Sequence, residues 1–280
     1  MAAPFEVVHL RVPNLVGRLM LIGTLDADDH GSGYHPIEEG GRVNTDHLKR
    51  QAAEHAVALI RSGMTVGLGH GSTTAFAVER LAHLLRSGEL INILAIPCSK
   101  EVEEHAIAVG IPLTTFDDHP EIDLTIDGAD EVDPHLNLIK GGGGALLREK
   151  VVAGASHREI IIVDGSKLSP RLGTRFALPI EVVPFAWSLE RRFLESLGAE
   201  VTRRGSHAPF STDQGNYILD ARFPGIENTG QLAATLNARA GIVEHGLFVD
   251  LATDLIVADS TGVHHVRRGQ VPPALFGLST

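Results

Sequence analysis

DLTIDGADEVDPHLNLIKGGGGALLREKVVAGASHREIIIVDGS, residues 123–166, reads as a buried strand, a glycine-rich loop, a helix and a second buried strand. Both strands are short apolar runs that end in aspartate and glycine, which is typical of strands covered on both faces of a parallel sheet. Parallel neighbours need a crossover connection, and a helix usually supplies it. The stretch therefore predicts a unit whose loops meet at the carboxyl edge of the sheet, where open α/β folds bind ligands.

The same alternation extends upstream. A helix from about Asp46 to Arg61, the strand TVGLG, a helix near 74–85, the strand INILAIP and the helix SKEVEEHAIAVG follow one another. Alternating strands and helices predict an α/β fold with a doubly wound, mostly parallel sheet. The late run LATDLIVADSTGVHHV is expected to return to this sheet as a strand and turn, so the main catalytic domain is predicted to comprise 44–173 plus 251–266.

The pattern changes near LPIEVVPF, where prolines bracket a short strand. A helix near 186–197, the segments AEVTRR and TDQGNYILDA, and a helix near 229–240 predict a second, smaller α+β domain over 174–250. The first 43 residues end in the acidic, glycine-rich run DADDHGSGYHPIEEGGR, so 1–43 is predicted to be an N-terminal extension of unknown role. The proline-containing segment 267–280 is predicted to be a loose C-terminal tail.

Composition limits the partners and the compartment. The 280 residues are 43% hydrophobic, enough for a substantial core. The net charge of −11, with no long run of Lys or Arg, argues against nucleic acid or an anionic membrane as the partner. The single cysteine, Cys98, excludes an intramolecular disulfide and a cysteine metal cluster. No apolar run has transmembrane length and no secretory signal is recognisable, so we expect a cytoplasmic protein.

GLGHGSTT, residues 67–74, lies between a predicted strand and a predicted helix. Its glycines let successive amides converge on an anion, and Ser72 and Thr73 add hydroxyl groups at the helix N-terminus. The motif lacks the Gly-Lys-Ser/Thr ending of a P-loop and the glycine spacing of the dinucleotide fingerprint. A phosphate site and a tight turn with a capping hydroxyl are both compatible with it.

A second motif begins where the strand DLTIDGA ends. Asp127 and Asp130 lie at the carboxyl end of that strand, and Lys140 precedes four glycines whose amides, with the ammonium, could stabilise an oxyanion. Glu149 is just over one turn into the next helix and can lean back toward the loop. A base beside an oxyanion site suits proton abstraction next to a carbonyl. The alternatives are capping aspartates, and a Glu149 paired with Arg148 or Lys150 on a solvated face.

Other charged residues give weaker signals. Lys167 follows another strand end and is a candidate for phosphate or sugar hydroxyls, with a surface lysine as the alternative; Lys49 is a weaker candidate. The 15 histidines show no zinc-protease spacing, and His264 and His265 lack acidic neighbours in sequence. We therefore expect no metal and no cofactor.

Several motifs of the chain resemble, in the same order, those of the type A ribose-5-phosphate isomerases: GLGHGST, DGADEVD, IKGGGGALLREK, VDGSKLSPRLG, LPIEVVPFA, TDQGNYILD and AGIVEHGLF. The resemblance runs from about Asp46 to Val266. It implies a Rossmann-like, isomerase/CoA-transferase-like domain with a smaller domain flanking the cleft, in a homodimer or larger homo-oligomer. It also implies metal-independent aldose–ketose isomerisation of ribose 5-phosphate and ribulose 5-phosphate through an enediolate, in the non-oxidative pentose phosphate pathway.

The same resemblance assigns roles to residues. Glu149 would be the general base, Asp127 and Asp130 would hold the sugar and open its furanose ring, and Lys140 would stabilise the oxyanion. Ser72, Thr73 and Lys167 would lie near the phosphate. The implied substrate-binding residues are Lys49, His70, Gly71, Ser72, Thr73, Asp127, Gly128, Ala129, Asp130, Lys140, Gly141, Gly142, Gly143 and Lys167.

The chain departs from the family pattern at two places. His70 stands where the family usually has threonine, so an imidazole replaces a hydroxyl. Cys98 and Ser99 replace a threonine–serine pair, and we interpret Cys98 as a packing residue. Two other kinds of protein stay open as alternatives: a sugar-phosphate sensor without turnover, and another sugar-phosphate enzyme of the same fold, such as an amino-sugar phosphate deaminase or a CoA transferase. The full set of catalytic groups favours the isomerase.

Overall fold

The structure is a computed structural model that describes residues 45–278, so the predicted extension over 1–43 lies outside the described residues. The helices are α1 (Thr45–Val57), α2 (Ser72–Ser87), α3 (Lys100–Ala108), α4 (Leu146–Gly154), α5 (Trp187–Ser196) and α6 (Thr229–Asn237). The strands are β1 (Thr65–Leu68), β2 (Leu94–Pro97), β3 (Leu124–Asp127), β4 (Glu131–Val132), β5 (Leu138–Ile139), β6 (Glu159–Asp164), β7 (Leu178–Val182), β8 (Glu200–Arg203), β9 (Tyr217–Arg222), β10 (Ile242–His245), β11 (Leu247–Phe248), β12 (Asp254–Asp259) and β13 (Gly262–Arg267). No helix within residues 45–278 is long and apolar enough to cross a bilayer.

Within residues 45–278, the main sheet has six strands in the order β13-β12-β6-β3-β1-β2, and only the pairing of β12 with β13 is antiparallel. Its strands are buried on both faces because alternate residues pack against different layers. Ile160 and Ile162 of β6 share a core cluster with Leu81 of α2, whereas Ile161 shares another cluster with Ala153 of α4. Helices on both sides of a mostly parallel sheet confirm the predicted α/β fold class.

A separate antiparallel sheet has the strand order β10-β7-β9-β8. Leu194 of α5 and Leu236 of α6 pack in its core with Ile180 and Leu219. A third, short sheet has the order β11-β5-β4 and brings Lys140, the residue after β5, next to Gly246, whose carbonyl accepts from the Lys140 amide at 2.9 Å. The antiparallel sheet agrees with the predicted α+β unit, and the predicted domain boundaries stay predictions.

The segment after β13 differs from the predicted loose tail. Arg268 donates hydrogen bonds to the carbonyls of Ala252 and Leu136, and Phe276 is only 6% exposed in a core cluster. The prolines suggested an unstructured chain, but Pro273–Phe276 is a short 3-10 turn, which the fixed φ of proline suits. The apolar residues of this turn pack against the main sheet, so the segment is attached as far as it is described.

Candidate active site

A pocket of about 350 Å³ lies where β1, β3 and β6 end. Its lining comprises Thr45, Lys49, His70, Gly71, Ser72, Thr73, Gly128, Ala129, Asp130, Lys140, Gly141, Gly142, Gly143, Glu149, Asp164, Ser166 and Lys167. Every predicted catalytic or substrate-binding residue lines this pocket except Asp127, which is 1% exposed. Thr45, Asp164 and Ser166 were missed. The position of Asp164 at the end of a buried strand, beside Lys167, was the signal that could have found it.

Lys140 lies at the centre of a buried cluster of charges. Its Nζ is 2.9 Å from Asp127 Oδ2 and 3.0 Å from Glu149 Oε1, and it donates a 2.6 Å hydrogen bond to the carbonyl of Gly128. All three charged residues are at most 3% exposed. Burial opposes the charge of Lys140, but the two carboxylates outweigh it and raise the pKa of the ammonium. The cluster thus holds a permanent cation beside the pocket.

Asp127 connects two loops as well as pairing with Lys140. Its Oδ1 accepts hydrogen bonds from the amides of His70, at 3.1 Å, and Gly128, at 2.7 Å. Gly69 passes so close that a Cβ there would lie 2.2 Å from Asp127 Oδ1 and 2.5 Å from its Cα. Asp127 therefore fixes the loop after β1. It does not line the pocket itself, but it forms an ion pair with Lys140, which does.

Glu149 is in the first turn of α4, where its side chain leans back to the glycine loop as predicted. The alternative pairing with its chain neighbours is wrong, because Lys150 Nζ binds Glu244 Oε1 at 2.6 Å and Arg148 pairs with Asp213. Burial raises the pKa of Glu149 to about 7, although the charge of Lys140 opposes the rise. Its Oε2 is buried and accepts no hydrogen bond among the described residues. One carboxylate oxygen is held and the other is unpaired, near neutral pKa, as suits a general base.

The glycine loop after Lys140 brings backbone to the pocket surface. A Cβ on Gly142 would lie 2.8 Å from Asp130 Oδ1, and one on Gly143 would lie 2.3 Å from His70 Nε2, so a side chain at either position would displace a pocket residue. Asp130 Oδ2 accepts the amide of Gly142 at 2.8 Å, which makes Asp130 a brace for the loop. The amide of Gly142 is therefore occupied by Asp130, and the next amide in the loop is that of Gly143, which also lines the pocket.

The motif at 67–74 presents a helix end to the same pocket. α2 begins at Ser72, somewhat earlier than predicted, and its N-cap residue is Gly71, with φ of 126°. No side chain within the described residues caps this turn, so the alternative of a capping hydroxyl does not apply. Uncapped amides at a helix N-terminus favour an anion. Ser72, Thr73 and Lys167 line the pocket around this point.

His70 Nδ1 lies 3.1 Å from Ser99 Oγ, and that oxygen also accepts the amide of Val102, which caps α3. The Ser99 hydroxyl thus links the loop after β1 to the start of α3. Either atom of the His70–Ser99 pair can be the donor, because a serine oxygen has two lone pairs and one hydrogen. The other ring nitrogen, Nε2, lies beside Gly143.

Cys98 Sγ, Asp127 and Glu149 offer ligand atoms within 4.8 Å of one another. These residues do not suit a metal ion, because the Lys140 ammonium already pairs with both carboxylates. Burial raises the pKa of the Cys98 thiol, and the charges of Asp127 and Glu149 raise it further. A neutral thiol is a poor ligand. Cys98 packs in an apolar cluster with Ile96, Ile122 and Val152, consistent with its interpretation as a packing residue.

Comparison with known proteins agrees with this geometry. A sequence profile of the family described as ribose 5-phosphate isomerase A (phosphoriboisomerase A) matches residues 94–262. Ribose-5-phosphate isomerase A from Chloroflexus aurantiacus is 57% identical over 226 residues, which are 80% of this chain and 95% of that protein.

Two solved structures are also similar. A D-ribose-5-phosphate isomerase in complex with phospho-erythronic acid gives a TM-score of 0.79 at 39% identity, over 80% of this chain and 100% of that chain. Ribose 5-phosphate isomerase A from Methanocaldococcus jannaschii gives 0.76 at 36% identity, over 80% and 99% of the two chains. The similarity thus extends over nearly the whole length of each of these proteins.

Proposed function

Because this chain belongs to the ribose 5-phosphate isomerase A family, as its motifs predict, we propose that the pocket at the ends of β1, β3 and β6 is the active site, with Glu149 as base. The protein is an aldose–ketose isomerase that interconverts D-ribose 5-phosphate and D-ribulose 5-phosphate. The observation that carries the site assignment is the buried Glu149, paired with Lys140 through one oxygen. A sensor without turnover would not need this pairing.

Glu149 is proposed to move one proton between C2 and C1 of the open-chain sugar. Its carboxylate takes the proton from C2 of the aldose, and the electrons of that bond form an enediolate with negative charge on O1. Return of the proton to C1, and transfer of the O2 hydrogen to O1, gives the ketose. The raised pKa of Glu149 suits both directions, because the group is a sufficient base and a sufficient acid near neutral pH.

Lys140 and the glycine loop are proposed to stabilise the oxyanion. The ammonium is held rigidly by Asp127, Glu149 and the Gly128 carbonyl, so it needs no reorganisation when charge develops. Asp130 lines the pocket and is proposed to contact sugar hydroxyls and assist ring opening, while Asp127 supports the reaction through Lys140. The amide of Gly143 adds a neutral donor.

The phosphate is proposed to bind at the N-terminus of α2. The uncapped turn after Gly71, with the hydroxyls of Ser72 and Thr73, offers donors along the helix axis, and Lys167 supplies positive charge from the opposite loop. Lys49 lines the same pocket and pairs with Asp46 at 3.8 Å. We therefore assign it a secondary role in phosphate binding.

The wider setting follows from the family. We propose that the protein acts in the non-oxidative pentose phosphate pathway, in the cytoplasm, as a homodimer or larger homo-oligomer, and without a metal ion. The ammonium of Lys140 between two carboxylates supports metal-independent chemistry, since it supplies the positive charge that a metal would bring.

Isomerase activity on ribose 5-phosphate is expected to persist in excess EDTA and to depend on the ionisation of Glu149. Since the base must be deprotonated, kcat/KM should rise with pH, reach half its plateau near pH 7 and fall about tenfold per unit well below it. The measurement is the initial rate of ketose formation from pH about 5.5 to about 9, with the chelator present. A midpoint at about pH 6, the value expected if only the substrate phosphate titrated, would contradict the assignment. Loss of activity in EDTA would contradict metal independence.

His70→Thr is expected to raise KM by about 2- to 10-fold with kcat nearly unchanged, because one hydrogen bond to the bound sugar phosphate is replaced by a shorter donor. The steady-state parameters of parent and variant are compared over the same pH range. We expect the two pH profiles of KM to differ, since an imidazole can carry a charge and a threonine hydroxyl cannot. Identical pH profiles of KM would exclude a role for the imidazole charge.

A further inference from the structure

Arg204 reaches from the antiparallel sheet to the glycine loop of the active site. It directly follows β8, and its Nη1 donates hydrogen bonds of 3.0 Å to the carbonyl oxygens of both Gly141 and Gly142. Its side chain does not line the pocket. The guanidinium therefore binds the catalytic loop from behind, on the side away from the substrate.

The guanidinium is itself held in place by β9. Asp220 accepts from Arg204 Nε at 2.9 Å and from Nη2 at 2.5 Å, a bidentate pairing that leaves Nη1 directed at the loop. Phe210 packs nearby, with its ring centroid 5.7 Å from the guanidinium carbon. The same ring covers Gly144 so closely that a Cβ there would lie 2.5 Å from Phe210 Cζ. Arg204, Asp220 and Phe210 form what we call the loop brace.

The geometry of the peptide unit links this brace to the pocket. In a planar trans peptide the carbonyl and the N–H point in opposite directions. The peptide between Gly141 and Gly142 shows the result, because its carbonyl faces Arg204 while its N–H binds Asp130, a pocket residue. The next peptide also turns its carbonyl to Arg204, which directs the N–H of Gly143 to the pocket side.

We propose that Arg204 is a positioning residue for the isomerase reaction, which fixes and polarises the Gly143 amide as an oxyanion donor. A cation on the carbonyl of a peptide draws electron density from its nitrogen and strengthens the N–H as a donor. The donor is preorganised, so it does not have to rotate when the enediolate forms. This proposal rests on the proposed function of the site, and it adds a role for a residue outside the pocket.

Arg204→Met is expected to lower kcat by about 10- to 100-fold with KM changed by less than about 3-fold, since a displaced oxyanion donor acts on the transition state and not on the phosphate. Arg203→Met is the matched control, because Arg203 is the preceding residue and stacks on Trp187 at 4.4 Å instead of binding the loop. Its kcat should stay within about 2-fold of the parent. Arg204→Lys should recover only part of kcat, since an ammonium cannot hold Asp220 through two nitrogens and also bind two carbonyls.

Two inhibitors separate positioning from a general structural effect. Phospho-erythronic acid carries a carboxylate as well as a phosphate, so it presents negative charge to the oxyanion donors, whereas inorganic phosphate occupies only the phosphate site. Arg204→Met should weaken inhibition by phospho-erythronic acid by about 10-fold or more and leave inhibition by phosphate unchanged. Equal weakening of both inhibitors, or of neither, would overturn the proposal.

The test of Arg204 can fail without the proposed isomerase function failing, and the two failures give different results. If the parent enzyme is active and Arg204→Met behaves like Arg203→Met, the role of Arg204 fails while the proposed function stands. If the parent does not isomerise ribose 5-phosphate, the proposed function fails. Circular dichroism and thermal unfolding check that Arg204→Met is folded. If it is not, the test is made with Asp220→Asn, which keeps Arg204 but weakens the pairing that holds its guanidinium. This variant must also weaken inhibition by phospho-erythronic acid more than inhibition by phosphate, and equal effects on the two inhibitors overturn the proposal.

Discussion

Glu149→Gln is expected to lower kcat by about 10²- to 10⁴-fold, with KM within a few-fold of the parent, because the amide keeps the shape of the side chain and cannot accept the C2 proton. The fold should survive, since the amide oxygen can still accept a hydrogen bond from Lys140, which lies 3.0 Å from Glu149 Oε1. Initial rates and exchange of the C2 proton with solvent deuterium measure the loss. Both should fall together, because the same group removes the proton and returns it.

The matched control is Glu190→Gln. Glu190 is also almost fully buried and also paired with a cation, Arg239, but it lies on α5, away from the pocket. This variant should lose stability, since a buried ion pair is broken, and keep its kcat. A Glu149→Gln protein with kcat close to that of the parent would show that another group is the base.

Lys140→Met should be the most destabilising of the site variants, with the free energy of unfolding reduced by about 3–5 kcal/mol near pH 8. Asp127 and Glu149 would then share a buried site without the cation that lies 2.9 and 3.0 Å from them. Loss of the cation should also raise the pKa of Glu149 further, so the stability deficit should shrink as pH falls and the carboxyl is protonated. Denaturant unfolding at several pH values measures the loss of stability. We also expect kcat to fall by about 10²-fold or more, because the oxyanion loses its ammonium.

The double variant Lys140→Met with Asp127→Asn tests the electrostatic origin of that loss. Removing one buried carboxylate together with the cation should restore about half of the lost stability, because the remaining Glu149 can be protonated. Activity should not return, since the oxyanion would still lack its ammonium. If Lys140→Met unfolds at the same denaturant concentration as the parent at every pH, the buried ion cluster does not contribute to stability as described.

Short-range patterns in the sequence were sufficient to predict that Lys140, the glycine loop and Glu149 lie together. They lie within one strand–loop–helix segment, so the start of α4 and the tilt of its side chains bring them together. The main parallel sheet follows from the same reasoning, since buried strands and helices alternate regularly. Contacts between distant segments could not be predicted in this way. Arg204 follows Gly142 by 62 positions, and nothing local in AEVTRR indicates that its guanidinium binds a loop.

The burial of Asp127 and the packing of Phe276 could not be predicted either, because both depend on contacts with distant segments. DGAD identified two carboxylates but could not show that one of them pairs with Lys140 under the pocket while the other braces Gly142. The prolines near the end of the chain indicated a break in regular structure, which a 3-10 turn also provides. In each case the local sequence leaves two environments possible, and tertiary packing selects one.

The position of β12 in the main sheet has a consequence for synthesis on the ribosome. β12 pairs with β6 through Asp254 and Ile160, so one edge of β6 has no partner until nearly a hundred further residues have been made. The antiparallel sheet uses only strands between Leu178 and His245 and can form in that interval. The nascent chain thus carries an exposed strand edge on β6 during this interval. Such edges bind chaperones or pair with other chains. Pairing of β12 with β6 then covers this edge.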